Sequence, residues 1–151
     1  MPNDPVATFN SKYMETVKLL NIYLNHFPRH EKYALALQIR QTSYQVFDLM
    51  TECRKRFYKK TSLSELDITH EKLRMQIYLA NELGYFAFKD GKRDPKKVSP
   101  EHRYLAISRL VDELGKMIGA WIKKVKEEGK FKDGSMLNVE CLILNERGNV
   151  A

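Results

Sequence analysis

The segment that decides the fold reads Leu110-Val-Asp-Glu-Leu-Gly-Lys-Met-Ile-Gly-Ala-Trp-Ile-Lys-Lys-Val125. Its apolar residues recur at steps of three and four, which places them on one side of an α-helix. Ser99-Pro100-Glu101 is a suitable start: Ser caps free amides, Pro needs no donor at the first helical position, and Glu meets the positive end of the dipole. The pattern predicts a helix from about Pro100 to Lys126 with an apolar core face.

Two glycines interrupt this helix. Gly115 and Gly119 lie four residues apart on one face, and Trp121 follows them. Each glycine costs about 1 kcal/mol relative to alanine in a helix interior. Close approach of another backbone would compensate, whereas the alternative is a weak spot that tertiary packing tolerates. Gly115, Gly119 and Trp121 are therefore candidate positions for helix packing.

The same helix carries a line of basic residues at intervals of seven. A helix holds such residues nearly in line along one side. Asp112 and Glu113 neighbour this line at helical spacing and are expected to offset part of its charge. The line consists of His102, Arg109, Lys116 and Lys123.

The chain has 151 residues, of which 43% are hydrophobic and 30% charged, as expected for one soluble domain with a real core. No apolar run approaches the length of a membrane span. The N-terminus has neither the basic nor the apolar region of a secretory signal, so we expect a cytoplasmic protein. Cys53 and Cys141 lack paired ligand spacing, which favours reduced thiols.

The charge balance is basic. Lys and Arg number 26 against 19 acidic residues, for a net charge of +7. Such an excess concerns the choice of partner rather than the fold, and a polyanion is the first candidate. The alternative is a soluble protein that is basic but has no anionic partner. The position of the positive charge, more than its sum, distinguishes these two possibilities.

Earlier segments predict three further helices around the same kind of apolar face. Residues 1–9 are polar, Pro-interrupted and expected to be mobile. Helix 1 is predicted from about Asn10 to His26, because Pro28 disfavours helix at the residue before it. Helix 2 is predicted to open near Arg29 and to run for about 28 residues, with Phe57 as the last member of its core face.

The last turns of helix 2 are expected to be strongly basic. They read Arg54-Lys55-Arg56-Phe57-Tyr58-Lys59-Lys60, with five cations in seven positions. A helix C-terminus favours one or two cations, so the surplus points to an anion. Most tyrosines in a bundle are packing residues, but Tyr58 lies among cations and is a candidate for base stacking, with a packing role as the alternative.

After a predicted turn at Thr61–Glu65, helix 3 is expected to continue to about Ala87. A basic connection with turn signals, Lys89–Lys97, leads to the last helix. The four helices predict an all-α, up-down-up-down antiparallel bundle over residues 10–127. Residues 128–151 form a C-terminal extension that is packed and strand-like or else disordered.

This topology predicts where the cations gather. The ends of helices 2 and 4 should share one pole, so that Arg54–Lys60 meets Lys123 and Lys124 there. Lys89–Lys97 should lie at the other pole, near Arg29 and Lys32. A concentrated cationic path of this kind is typical of contact with nucleic-acid backbones.

No catalytic constellation is visible in the sequence. A Gly-rich phosphate loop, a nucleophile elbow and a His-Glu-x-x-His motif are all missing. His26 and His30 flank Pro28 and share no regular helical face, so a metal site there is disfavoured. His70 occupies a core position and is expected to be a satisfied buried histidine. We therefore predict no enzyme, no metal and no cofactor.

The last helix resembles that of the accessory variability determinant (Avd) proteins of diversity-generating retroelements. The most specific part is the Gly-x-x-x-Gly-x-Trp-Ile pattern from Gly115 to Ile122. Phe27-Pro28-Arg29 with Gln38-Ile39-Arg40 resembles the wider family of four-helix bundles encoded by ribosomal intervening sequences. The similarity covers about Tyr13 to Val125.

The resemblance implies a homopentamer that binds nucleic acid with little sequence preference and associates with the reverse transcriptase of the element. Such proteins support mutagenic copying of a template RNA into cDNA and are not catalysts. For this chain, the resemblance implies that a set of basic residues contacts RNA, DNA or polymerase. These are Arg54, Lys55, Arg56, Lys59, Lys60, Arg109, Lys116, Lys123 and Lys124. The resemblance also makes Gly115, Gly119 and Trp121 candidates for helix packing between subunits.

A second interpretation stays open at this point. The chain could be an oligomeric protein-interaction scaffold of the intervening-sequence bundle family, with its charge serving solubility or an acidic partner. Negligible affinity for nucleic acid at physiological salt would favour that interpretation.

Overall fold

The computed structural model of the protein describes residues 5–95 and 99–132. Its helices are α1 (Pro5–His26), α2 (Leu35–Lys55), α3 (Lys60–Glu82) and α4 (Pro100–Lys132). The chain divides into two compact units, Met1–Ile118 and Gly119–Ala151. The predicted strand-like or disordered character of the C-terminal extension lies outside the described residues beyond Lys132.

Neighbouring helices of the first unit are antiparallel. The Tyr13 hydroxyl of α1 donates a hydrogen bond of 2.6 Å to the Ser43 carbonyl of α2. The Lys12 ammonium of α1 lies 2.8 Å from the Glu113 carboxylate of α4. Between α3 and α4, the His70 Nε2–H donates to the Val111 carbonyl at 2.7 Å. These contacts join α1 to both α2 and α4, and α3 to α4, and they confirm the predicted four-helix bundle.

The core consists of the apolar faces that the sequence periodicity predicts. Aliphatic side chains from α1 to α4 meet there without solvent contact, and their burial supplies most of the stability of such a bundle. Among the fully buried side chains are Leu20, Ile39, Val46, Leu66, Leu73, Ile77, Ile107, Val111, Leu114 and Ile118.

A hairpin closes the end of the bundle between α3 and α4. Strands β1 (Phe88–Lys89) and β2 (Lys92–Arg93) pair antiparallel. Asp90 and Gly91 connect them with φ of 52° and 81°, the left-handed conformations that a two-residue turn requires. The Arg103 guanidinium of α4 anchors the hairpin by donating to the Phe86 and Phe88 carbonyls and to the Asp94 carboxylate.

Several helix boundaries differ from the prediction. α1 begins at Pro5, five residues before Asn10, since proline suits a first helical position. Its first turns pack onto the core through Phe9, which is only 2% exposed. α4 continues past the predicted end at Lys126 to Lys132.

The predicted long helix 2 is wrong at both ends. Arg29–Glu31 forms a separate 3₁₀ turn, and α2 spans only 21 residues from Leu35 to Lys55. Thr61–Glu65, predicted as a turn, lies inside α3. Leu63 is 2% exposed, and its burial in the core holds this segment in the helix although Ser and Thr favour turns.

Candidate nucleic-acid interface

The predicted basic cluster forms the connection between two helices. We call residues Arg54–Lys60 the basic junction. α2 ends at Lys55, Arg56 is extended with φ of −76° and ψ of 140°, and α3 begins at Lys60. The cluster is therefore a compact helix–helix junction and not the last turns of one helix. It gathers its cations at the end of the bundle where α2 stops.

Lys59 holds the junction together. Its ammonium donates to the carbonyls of Cys53, Arg54 and Arg56 at 2.8, 3.4 and 2.9 Å. The last carbonyls of a helix have no intrahelical partner and carry the negative end of the helix dipole, so a cation there satisfies both needs. Lys59 thus stabilises the fold of the junction, a role that the charge pattern alone did not indicate.

The other cations of the junction differ in how tightly the fold holds them. Arg54 and Lys55 are exposed, and Lys60 is half-buried. The Arg56 guanidinium pairs with the Glu52 carboxylate at 3.1 Å, with both side chains about half exposed. Exposed pairs of this kind contribute little free energy and open readily to another anion. Arg54, Lys55 and Arg56 can therefore face a polyanion.

Two aromatic rings project from the junction. Phe57 is 85% exposed and Tyr58 is 76% exposed. Their centroids lie 4.8 Å apart in an edge-to-face arrangement. The prediction that Phe57 belongs to the core face is wrong, because α2 ends two residues earlier. The apolar periodicity missed the exposure of Phe57, whereas Tyr58 was a candidate for base stacking because it lies among cations.

The basic line on α4 is exposed as predicted by its spacing. Arg109 and Lys116 are exposed in the first unit, and Lys123 and Lys124 are exposed in the second. The predicted meeting of Lys123 and Lys124 with the basic junction stays a prediction. The assigned contacts of all these cations with nucleic acid also stay predictions.

Glu113, which neighbours the line, also pairs with a cation of another helix. Its carboxylate pairs with Lys12 of α1 at 2.8 Å. That hydrogen bond, helped by the positive charges of Lys116 and Arg109, lowers the pKa of Glu113. The acid therefore joins α1 to α4, and it also interacts with Lys116 and Arg109 of the line, as its helical spacing predicts.

The two glycines of α4 have different surroundings. A Cβ atom on Gly115 would lie 2.6 Å from Cε1 of His70, so the ring packs directly on the glycine. His70 is 6% exposed and donates through Nε2 to Val111. A Cβ atom on Gly119 would meet nothing within 4 Å. Gly115 thus accommodates a ring rather than another backbone, and Trp121 beyond them is half-buried.

The hairpin end of the first unit is a second basic region. Lys89, Lys92 and Arg93 are exposed there. The Arg29 side chain packs against Gly91, which supports the predicted proximity of this connection to Arg29. Lys96 and Lys97 lie outside the described residues.

The histidines at this end make local contacts. The Asp90 backbone N–H donates to His26 Nδ1 at 3.1 Å, and His30 lies near Glu31. Within residues 5–95 and 99–132, no group of three or more His, Cys, Asp or Glu side chains is placed to hold a metal ion. In the same ranges, no helix is apolar over a length that could cross a bilayer.

The fold and this surface define a class, that of small basic four-helix-bundle proteins. The family model described as bAvd-like matches residues 8–125, which include the first unit from residue 8 onward and α4 as far as Val125. The chain therefore belongs to the bAvd-like family, a family of Avd-type accessory proteins. No curated protein matches the chain as a relative.

Proposed function

We propose that this chain is a non-enzymatic accessory protein of a diversity-generating retroelement. It binds template RNA and cDNA through its basic surfaces, with low sequence specificity, and associates with the reverse transcriptase of the element in the cytoplasm. Membership of the bAvd-like family supports the accessory role. The basic junction is the observation that carries the nucleic-acid part of the proposal.

The composition of the junction favours nucleic acid over other anions. The exposed cations Arg54, Lys55 and Arg56 neutralise phosphates and release counterions, which is the main source of non-specific affinity. Exposed aromatic rings between such cations are typical of proteins that bind single strands. An acidic protein partner would use the cations but would gain less from two projecting rings.

The test compares two variants with the same net charge. Arg54→Gln/Lys55→Gln removes two exposed junction cations and leaves the Lys59 cap intact. Lys18→Gln/Lys72→Gln removes two exposed lysines elsewhere on the bundle. We expect the junction variant to bind RNA more weakly and to reduce the slope of log affinity against log salt by about 0.7 for each lost single-strand contact.

The control variant should bind nearly as tightly as the natural chain, since steering by net charge alone is equal in the two variants. Equal affinities of the two variants for RNA, measured by fluorescence anisotropy across a salt series, would remove the junction from the interface.

We also propose that the protein assembles as a homo-oligomer, most simply the pentamer that the Avd resemblance implies. The outward face of α3 supports assembly with further copies. Ile68, Met75 and Leu79 follow one another at helical spacing there and are 54%, 46% and 47% exposed. A row of apolar side chains on an outer face is typical of protein contact surfaces.

The same face is the observation that would favour the alternative function, a protein-interaction scaffold. Under that alternative, assembly persists while nucleic-acid affinity is negligible at physiological salt. The charge variants therefore separate the two functions, because only an RNA-binding protein responds to loss of the junction cations.

A further inference from the structure

The basic junction exposes more aromatic surface than a connection between helices needs. Phe57 and Tyr58 are 85% and 76% exposed, and each ring contacts the other edge to face. Apolar surface that stays in water forgoes the stabilisation that burial would give. A polar connection of the same length would avoid this loss. A ligand that buries the rings when it binds would explain why they are aromatic.

The backbone that carries the rings is held in place. The Lys59 ammonium, which follows the rings in the chain, binds three carbonyls that precede them, at residues 53, 54 and 56. Both rings follow directly after the extended residue Arg56. A binding surface that is ordered before its ligand arrives loses less conformational entropy on binding.

We propose that the basic junction selects single-stranded over double-stranded nucleic acid by stacking unpaired bases on Phe57 and Tyr58. The proposal rests on the proposed function and names its substrate class. Arg54, Lys55 and Arg56 are exposed and directly precede the rings, so cations lie next to the stacked bases and can neutralise their phosphates.

A duplex cannot use the rings in this way. Its bases are paired and stacked on each other, and their faces are closed to a side chain that projects from a protein surface. Stacking also tolerates any sequence, because every base has an aromatic face.

The test uses two ring variants of the full chain. Phe57→Leu/Tyr58→Leu keeps apolar bulk and removes the aromatic faces, whereas Phe57→Tyr/Tyr58→Phe keeps both faces. Each is titrated by fluorescence anisotropy against an unstructured RNA of about 12 nucleotides and against a duplex of the same length.

We expect the leucine variant to bind the single strand about tenfold more weakly for each stacked base that is lost, with its affinity for the duplex unchanged. The salt slope should stay the same, because no phosphate contact is removed. The variant with exchanged rings should bind as the natural chain does. Circular dichroism should be unchanged for both variants, because the substituted side chains are exposed.

Three results would overturn the proposal. The leucine variant could bind the single strand as tightly as the natural chain, or lose equal affinity for single strand and duplex. It could also change the mass of the particle in light scattering while strand affinity is retained, which would assign the rings to contacts between copies.

Arg54→Gln/Lys55→Gln separates this proposal from the proposed function. If that variant has lower affinity for both single strand and duplex, while the leucine variant binds both as the natural chain does, the proposed selection by the rings is wrong and the proposed RNA binding is retained. If the charge variant binds both ligands as the natural chain does, the proposed nucleic-acid interface itself fails.

Discussion

At the scale of single residues, Gly115 is the position where the packing of the bundle leaves least room. The His70 ring lies against it and is fixed by its hydrogen bond to Val111. Gly119, one turn later, has no neighbour that a methyl group would touch. The two glycines look equivalent in sequence, but only one is required by its surroundings.

The Gly115→Ala and Gly119→Ala variants should therefore change stability in opposite directions. Alanine gains about 1 kcal/mol of helix propensity at either position. At Gly115 a larger overpacking penalty of about 1 to 3 kcal/mol opposes this gain, so the free energy of unfolding should fall. Urea unfolding of both variants measures the difference, and stabilisation by both alanines would contradict the contact with His70.

Cys53 gives a residue-scale prediction about pH. Its thiol is fully buried, and burial raises its pKa to about 11. The fold thus favours the neutral thiol. Its contribution to the free energy of unfolding is fully present below the ordinary thiol pKa of 9.0 and is lost as the pH rises towards 11.

We expect Cys53 to resist alkylation by iodoacetamide at pH 8 in the native protein and to react readily in urea. Peptide mapping by mass spectrometry isolates the peptide that contains Cys53 and measures its modification. Equal modification rates with and without urea would show that the thiol is not protected by the fold.

At the scale of elements, the sequence predicts the interiors of the helices better than their ends. The apolar periodicity correctly placed core residues such as Ile39, Leu66 and Ile107, because burial of one face drives helix packing. The Asp90-Gly91 turn was visible for a similar reason, since its backbone conformation needs particular residues.

The junction between α2 and α3 could not be placed in the same way. No glycine or proline marks the end of α2, and the residues that open α3 are ones that favour turns. The end is set by a side chain from outside α2, since the Lys59 ammonium binds carbonyls of the last turn. Phe57 is consequently exposed, although its spacing alone placed it in the core.

Lys59→Met should therefore destabilise α2 at its C-terminus. Loss of the cation leaves three carbonyls without this donor, and we expect a reduction of about 1 kcal/mol in the free energy of unfolding, the usual size of a capping contribution. Lys55→Met, which removes an exposed lysine four residues away, should change stability by less than about 0.5 kcal/mol.

Thermal unfolding followed by circular dichroism compares these two variants directly. Equal midpoints for Lys59→Met and Lys55→Met would mean that the cap contributes nothing to the bundle. In that case Lys59 would return to the set of cations available to a ligand.

At the scale of the whole molecule, a net charge of +7 on 151 residues favours solubility and association with polyanions. Part of the surface charge is used within the bundle, where Lys12 pairs with Glu113 and Arg103 with Asp94. The exposed cations of the basic junction are concentrated within one short segment of the first unit. Their position, rather than the total charge, distinguishes a nucleic-acid interface from general solubility.

The most direct test of the account is size-exclusion chromatography with light scattering, run at moderate salt with and without a structured RNA that carries single-stranded segments. We predict a particle of five 17.7-kDa chains whose mass rises when RNA is added. Arg54→Gln/Lys55→Gln should form the same particle and bind less RNA. A monomer or dimer whose mass is indifferent to RNA would contradict both the assembly and the nucleic-acid role.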